Sequence, residues 1–489
     1  MLQLVIMQVS DLHKEISVFP SNKAFVSSIV SDISRYANEE IPVPRPDILV
    51  ICGDIIQGSG QIEDFDVAIQ EIEQQYSEVT DILNQVCAML FNGDKNRIVM
   101  IPGNHDVSWP HSRKSMQKLN KADHNFVGLC KRPESNVRWD WKDFSFYQIY
   151  DRDLYEQRLL PFARFYTAFY NNQRKYSLIP EEQYDIFEFP KYKTLFAGFN
   201  SCFLNDHLNL TSRIHPECIA SCYSYISQEK FDDWLKIAVW HHDLHGFPNR
   251  ADFMDERVVQ FLIDKGFQIG LHGHLHKDEI FEIKFNADQS VKMPVFGCGS
   301  LSASPQNIPL GVSNQYSIIE IDDSLTNLRY HIRKAVEQPP ELPIWMPGNI
   351  RQNKDKSYID VKLERHIVEE YEMPAKSVLL KGLVEVEDLI AKKEYSQALA
   401  KLELLDQGNP FVRRFTIECL WQLDMDGELA DFIKEPNSVT EFAYLSESLW
   451  RRSRIKDLKE LVDKLSSRTE IVDSEPYKRI IKKLADRGI

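Results

Sequence analysis

Ten side chains of this 489-residue sequence carry most of its potential for chemistry: Asp11, His13, Asp54, Asn104, His105, Asp106, His241, His242, His274 and His276. They fall in five short clusters, Asp11-Leu-His13, Gly53-Asp54, Gly103-Asn-His-Asp106, His241-His242 and Gly273-His-Leu-His276. Carboxylate, carboxamide and imidazole groups are ligands for borderline divalent cations. Two such ions about 3.5–4 Å apart, bridged by one shared carboxylate, clamp a phosphate and make hydroxide accessible at neutral pH. A neutral ligand such as Asn104 limits the total ligand charge and keeps the ions Lewis-acidic. An Asp-x-His or a Gly-Asp alone arises by chance, whereas all five clusters in this order form a specific signal.

The clusters need elements to bring them together, and each follows an apolar run of β type: residues 2–9, 47–52, 97–101, 236–240 and 267–271. Open α/β sheets place their ligands at such strand ends. Helical periodicity over 23–35 and Phe65–Phe91 predicts the α/β class. Runs at 279–285, 294–297 and Gln315–Ile321 predict further strands, so a mixed sheet in the second half, and a sandwich with helices outside accommodates both.

With these motifs in place, residues 1–300 resemble the calcineurin-like metallophosphoesterase superfamily. It includes purple acid phosphatases, class III cyclic-nucleotide phosphodiesterases, Ser/Thr protein phosphatases and the nuclease subunit of the double-strand-break repair complex. The resemblance implies a β-sandwich flanked by helices and two divalent ions. It assigns Asp11, His13 and His276 to one ion, Asn104, His241 and His274 to the other, and Asp54 to the bridge. It also implies that His105 protonates the leaving oxygen, a role worth about 10²–10⁴-fold in rate, with Asp106 orienting it. Manganese is the first expectation, and iron, zinc or cobalt suit the same mixed N and O ligands. The family's His-His-Pro-Pro motif is His241-His-Asp-Leu-His245 here, which keeps the ligand but loses the prolines common in the cyclic-nucleotide enzymes. His242, with Asp243 and His245, then either faces substrate or packs internally. His272 reads as structural, Gly297-Cys-Gly-Ser300 as a tight turn or a close approach to substrate, and Cys298 as a buried thiol.

Composition bounds the rest. With 43% hydrophobic and 27% charged residues the chain is ordinary globular material, and its net charge of −15 excludes broad, sequence-independent wrapping of nucleic acid. Eight scattered cysteines without a C-x-x-C pair predict reduced thiols and a cytoplasmic protein. Met1–Ser10 lacks the charged region and cleavage site of a secretory signal, and no apolar stretch is long enough for a spanning helix, so no membrane role is expected.

Residues 1–336 are expected to form the phosphoesterase domain, 337–374 a proline-containing linker or strap, and 375–489 an α-helical domain of tetratricopeptide-like hairpins that contacts a protein partner or the other domain. An aromatic insert at 107–194 carries 15 Lys and Arg against 11 Asp and Glu, a basic region in an acidic protein. Its helically spaced Phe162, Phe165, Tyr166, Phe169 and Tyr170 either pack or stack on bases. Residues 450–489 hold 12 Lys and Arg against 7 Asp and Glu, a solvated face or a contact surface. These features together predict a metal-dependent hydrolase of a phosphodiester in nucleic acid or a nucleotide, similar in architecture to bacterial defence or repair modules. A phosphoprotein phosphomonoesterase and a metal-stabilised scaffold are the competing readings.

Overall fold

Aliphatic and β-branched runs make the strands of the structure, a computed structural model that describes residues 3–14, 21–60, 62–119, 124–245, 252–284, 291–336, 343–349, 356–363, 374–406 and 408–487. In chain order they are β1 (Leu4–Val9), β2 (Ile48–Cys52), β3 (Ile98–Ile101), β4 (Met116–Lys118), β5 (Val137–Asp140), β6 (Ser145–Ile149), β7 (Tyr184–Phe189), β8 (Thr194–Phe199), β9 (Leu235–Val239), β10 (Ile269–His272), β11 (Glu279–Lys284), β12 (Lys292–Gly297), β13 (Gln315–Ile321), β14 (Asn327–Val336), β15 (Ile344–Pro347) and β16 (Tyr358–Lys362). The first sheet runs β15-β14-β13-β1-β2-β3 with β16 beside β14, the second runs β11-β12-β10-β9-β8-β7, and a small third sheet runs β4-β6-β5. The five runs expected to deliver chemistry are β1, β2, β3, β9 and β10.

Parallel pairing explains how the clusters meet. β1, β2 and β3 are mutually parallel, as are β8, β9, β10 and β12, while β13 and β11 close their sheets in antiparallel fashion. Parallel neighbours require crossovers, supplied by the helices Asn22–Arg35, Phe65–Phe91, Pro216–Ile226 and Glu256–Asp264, so the C-terminal ends of consecutive strands fall on one edge. Ser21 and Asp64 cap the first two of these helices, accepting from the Ala24 and Val67 amides.

One core holds Ile6, Ile48, Val50, Ile318 and Tyr316 of the first sheet together with Phe196, Ile237, Ile269 and Phe296 of the second, which makes the unit a sandwich. The buried Gln8 amide donates to the carbonyls of His272 (3.1 Å) and Phe296 (3.0 Å), tying the sheets beside the functional edge. A second core lies between the other face of the second sheet and its helices, around Ala238, Trp240, Val295, Cys222 and Leu262.

The aromatic insert takes the packing alternative. Phe162, Tyr166, Phe169 and Tyr170 are all buried, and Phe165 stacks on Tyr76 with 4.7 Å between ring centroids. This aromatic stripe seats the helix Leu160–Phe169 on the long helix Phe65–Phe91 and leaves no face for bases. The aromatics that do face solvent are Trp141, Phe144 and Tyr150, on and beside the β5–β6 hairpin. Within 337–374, β15 and β16 both pair with β14, and Trp345 is buried with its Nε1 donating to Ser28 Oγ at 3.1 Å. The remainder of that expected linker, 337–342, 350–355 and 364–373, lies outside the described residues.

The chain divides into two units, Met1–Val368 and Glu369–Ile489. In the second, the helices Pro374–Ala391, Tyr395–Leu402, Pro410–Gln422, Asp426–Ile433, Val439–Arg451, Ile455–Leu465, Thr469–Val472 and Glu475–Ala485 follow one another. Three of their connections are the same turn. Lys393, Asp424 and Ser453 take left-handed φ, and the next amide reaches back to Leu389, Leu420 or Leu449 at 2.8–2.9 Å. No helix among the described residues is long and apolar enough to cross a membrane.

Candidate metal centre

The loop after β1 and the loop after β2 run side by side, with the Asp11 amide donating to the Gly53 carbonyl (3.0 Å) and the His13 amide to the Asp54 carbonyl (3.1 Å). Asp11, His13, Asp54, His274 and His276 all have positive φ, between 44° and 78°. Left-handed backbone is unfavourable for such residues and tends to gather at functional sites. Here it turns ligand groups from three loops inward.

Two sets of ligand atoms result. In the first, His13 Nε2 lies 2.9 Å from His276 Nε2 and 3.7 Å from Asp11 Oδ1, and His276 Nε2 lies 3.3 Å from the same Asp11 oxygen. In the second, Asn104 Oδ1 lies 3.0 Å from His241 Nε2 and 3.1 Å from His274 Nδ1, and the two imidazole nitrogens are 3.3 Å apart. Asp54 Oδ2 belongs to both, 3.8 Å from His13 Nε2 and 3.3 Å from His241 Nε2.

Atoms around the ligands fix which lone pair faces inward. His241 Nδ1 meets the Cys52 carbonyl at 2.7 Å and His276 Nδ1 the Asn307 carbonyl at 2.5 Å, so each ring keeps its proton outside and presents Nε2. Asp54 Oδ1 accepts from the His105 amide (2.8 Å) and Asp11 Oδ2 from the His274 amide (3.0 Å), leaving the other oxygens for the centre. Asp11 Oδ1 is buried without a hydrogen-bond partner. A buried carboxylate oxygen beside convergent imidazole lone pairs fits a divalent cation, which satisfies all of them at once.

The charge balance agrees. Burial opposes ionisation of Asp11 and Asp54, but His276 beside the first and His241 beside the second outweigh it and hold both carboxyls well below the usual range. Burial likewise works against a proton on His241 and His276. Asp54 nevertheless lifts His241 to about 9, and Asp11 raises His276. His13 moves down, chiefly through burial. Protons therefore occupy ligand nitrogens that an ion would displace.

A sequence profile described as calcineurin-like phosphoesterase matches residues 4–278. The chain belongs to this family. No curated protein sequence matches it. Among solved structures it is similar to GAP50, the anchor in the inner membrane complex of Plasmodium (11% identity, 75% of this chain and 90% of that one, TM-score 0.36), and to a dimetal phosphatase from Danio rerio (11%, 68% and 97%, 0.35). It is also similar to zinc-complexed Vps29 from Entamoeba histolytica (10%, 73% and 99%, 0.28).

Of the ten residues singled out in this calcineurin-like chain, seven supply the two ligand sets. His105 stands at their edge, its ring 4.6 Å from the His13 ring at 89°, with Nδ1 against the Gln57 carbonyl (2.8 Å) and Nε2 left over. Asp106 does not reach that ring. Its carboxylate accepts from the Gly103 amide (2.8 Å), the Ile55 amide (3.2 Å) and the Tyr76 hydroxyl (2.9 Å), so it locks the Asp54 loop to the Asn104 loop. His242 also departs from the substrate-facing alternative: it is 1% exposed, its Nδ1 pairs with Ser201 Oγ at 2.9 Å, and its ring packs on His274. Asp252, 3.8 Å from His274 Nε2, is a supporting group that no motif announced.

Proposed function

We propose that this protein is a dinuclear metal-dependent phosphoesterase that hydrolyses a phosphodiester in nucleic acid or a nucleotide in the cytoplasm. The observation that carries the reading is one carboxylate oxygen, Asp54 Oδ2, lying within 3.8 Å of imidazole nitrogens from both ligand sets. When bound, two divalent ions, manganese first and iron, zinc or cobalt as alternatives, would supply Lewis acidity to the phosphate and lower the pKa of the attacking water.

The chain's own residues do the positioning and the proton handling. The His105 amide holds Asp54 in orientation through Oδ1. With Nδ1–H committed to the Gln57 carbonyl, His105 takes up its transferable proton at Nε2 and releases it there to the leaving oxygen. Asp106 keeps Asn104 and His105 in register with Asp54. The excess of Lys and Arg over 107–194 supports a polyanionic substrate, and in this reading the helical unit provides the surface for a protein partner.

The test is hydrolysis of single-stranded and duplex DNA, RNA, cyclic nucleotides and a phosphopeptide, with Mn²⁺ and with EDTA, beside Asp54→Asn and His105→Ala. The reading requires metal-dependent cleavage of a diester, lost in Asp54→Asn and reduced about 10²–10⁴-fold in His105→Ala. Cleavage of the phosphopeptide alone replaces the substrate class with phosphoprotein. A metal-loaded protein that leaves every substrate intact is a scaffold.

A further inference from the structure

Beside the dinuclear centre, where the familiar proline motif is replaced, two buried acceptor atoms have no donor among the described residues. Asp243 is 0% exposed and His272 1%. His272 Nδ1 meets the Gly273 carbonyl at 3.0 Å, which directs the lone pair of Nε2 toward Asp243 Oδ1, 3.6 Å away. That separation is too long for a hydrogen bond. Among the described residues, His272 Nε2 and Asp243 Oδ2 are buried with no hydrogen-bond partner, while Asp243 Oδ1 accepts from the adjacent Leu244 amide at 2.6 Å. A buried carboxylate oxygen without a donor is unfavourable unless a cation satisfies it.

Two further ligand groups stand beside Asp243. One ligand atom each from Asp243, His245 and Glu279 lies within 4.8 Å of the others. Tetrahedral ligands at about 2.0–2.2 Å from a common ion are roughly 3.3–3.6 Å apart, so the set closes with side-chain movements of up to about an ångström. Glu279 also meets the Lys277 ammonium. The pleat makes room for the cluster: Gly297 pairs with both His272 and Glu279, and a Cβ there would sit 2.8 Å from His272 Cε1 and 3.4 Å from Glu279 Cβ.

We infer that Asp243, His245 and Glu279 form a separate site for one divalent ion of the zinc class, which staples the loop after β9 to the start of β11. One imidazole and two carboxylates supply three of the four ligands of a zinc shell, and water fills the fourth position. The staple joins the loop that carries His241 to the loop that carries His274 and His276, and so sets the spacing of the dinuclear centre from outside.

The experiment is zinc counting on the full chain after loading with Zn²⁺ and desalting, with thermal unfolding alongside. His245 is exposed and Glu279 half-buried, so His245→Ala and Glu279→Gln are compatible with folding. Wild type should retain three zinc ions, and each of these variants two, with the third bound at least tenfold more weakly and a lower Tm in Zn²⁺ but not in EDTA. Asp54→Asn, which tests the dinuclear centre separately, should keep the staple ion. Wild type and His245→Ala retaining the same number of ions with the same Tm in Zn²⁺ overturns the staple, whatever Asp54→Asn does.

Discussion

Protonation and hydrogen bonding of single residues decide how the centre is assembled. In the ion-free protein His241 carries a proton up to about pH 9, because Asp54 outweighs burial, and an ion binds only the neutral ring. Metal affinity should therefore rise by about tenfold per pH unit from pH 6 toward 9 and level off above it. Competition against a chelator of known affinity at pH 6.5, 7.5 and 8.5 measures this, and a flat profile would show that His241 is not a ligand. Tyr76→Phe isolates the support beneath His105, since the ring that stacks on Phe165 is kept and only the donor to Asp106 is lost. A loss of about 1–3 kcal/mol in denaturant unfolding is expected. The ligands were legible in the sequence because ions accept few side-chain types. The groups that orient them were not, since Cys52, Gln57 and Asn307 act through backbone carbonyls, which any residue offers.

At the scale of elements, the centre depends on how closely the loops after β2 and β3 approach. A Cβ on Gly103 would come within 2.2 Å of both the Asp54 amide nitrogen and its Oδ1. Gly103→Ala should push Asp54 out of its bridging position, with at least a tenfold loss of metal affinity by calorimetric titration while the far-ultraviolet circular dichroism stays near wild type. The five ligand-bearing strands were readable because buried parallel strands are short unbroken apolar runs. β15 and β16 were not, because the prolines of 337–348 read as linker or strap, and what defines both strands is pairing with β14, a long-range contact. The aromatic stripe 162–170 was ambiguous for a different reason. Helical spacing shows that a face exists but not whether protein or ligand covers it, and the long helix Phe65–Phe91 settles that question.

The whole molecule consists of two units with separate cores, one around Ile6 and Phe296 and one around Leu429 and Leu458. Ions bound to the first unit stabilise it by mass action. In calorimetry, EDTA should lower the unfolding transition of the unit that carries the ligand sets, and a transition that EDTA leaves in place would contradict ion binding there. The turns at Lys393, Asp424 and Ser453 escaped notice in the sequence because none is glycine or asparagine, and the hairpin pattern shows in backbone geometry more plainly than in residue type. The central claim, that the two ligand sets act as one centre through Asp54, is tested most directly by electron paramagnetic resonance of the protein loaded with Mn²⁺. The account predicts the spectrum of a coupled Mn²⁺ pair that disappears in Asp54→Asn, whereas isolated Mn²⁺ signals in wild type, unchanged by that substitution, would contradict it.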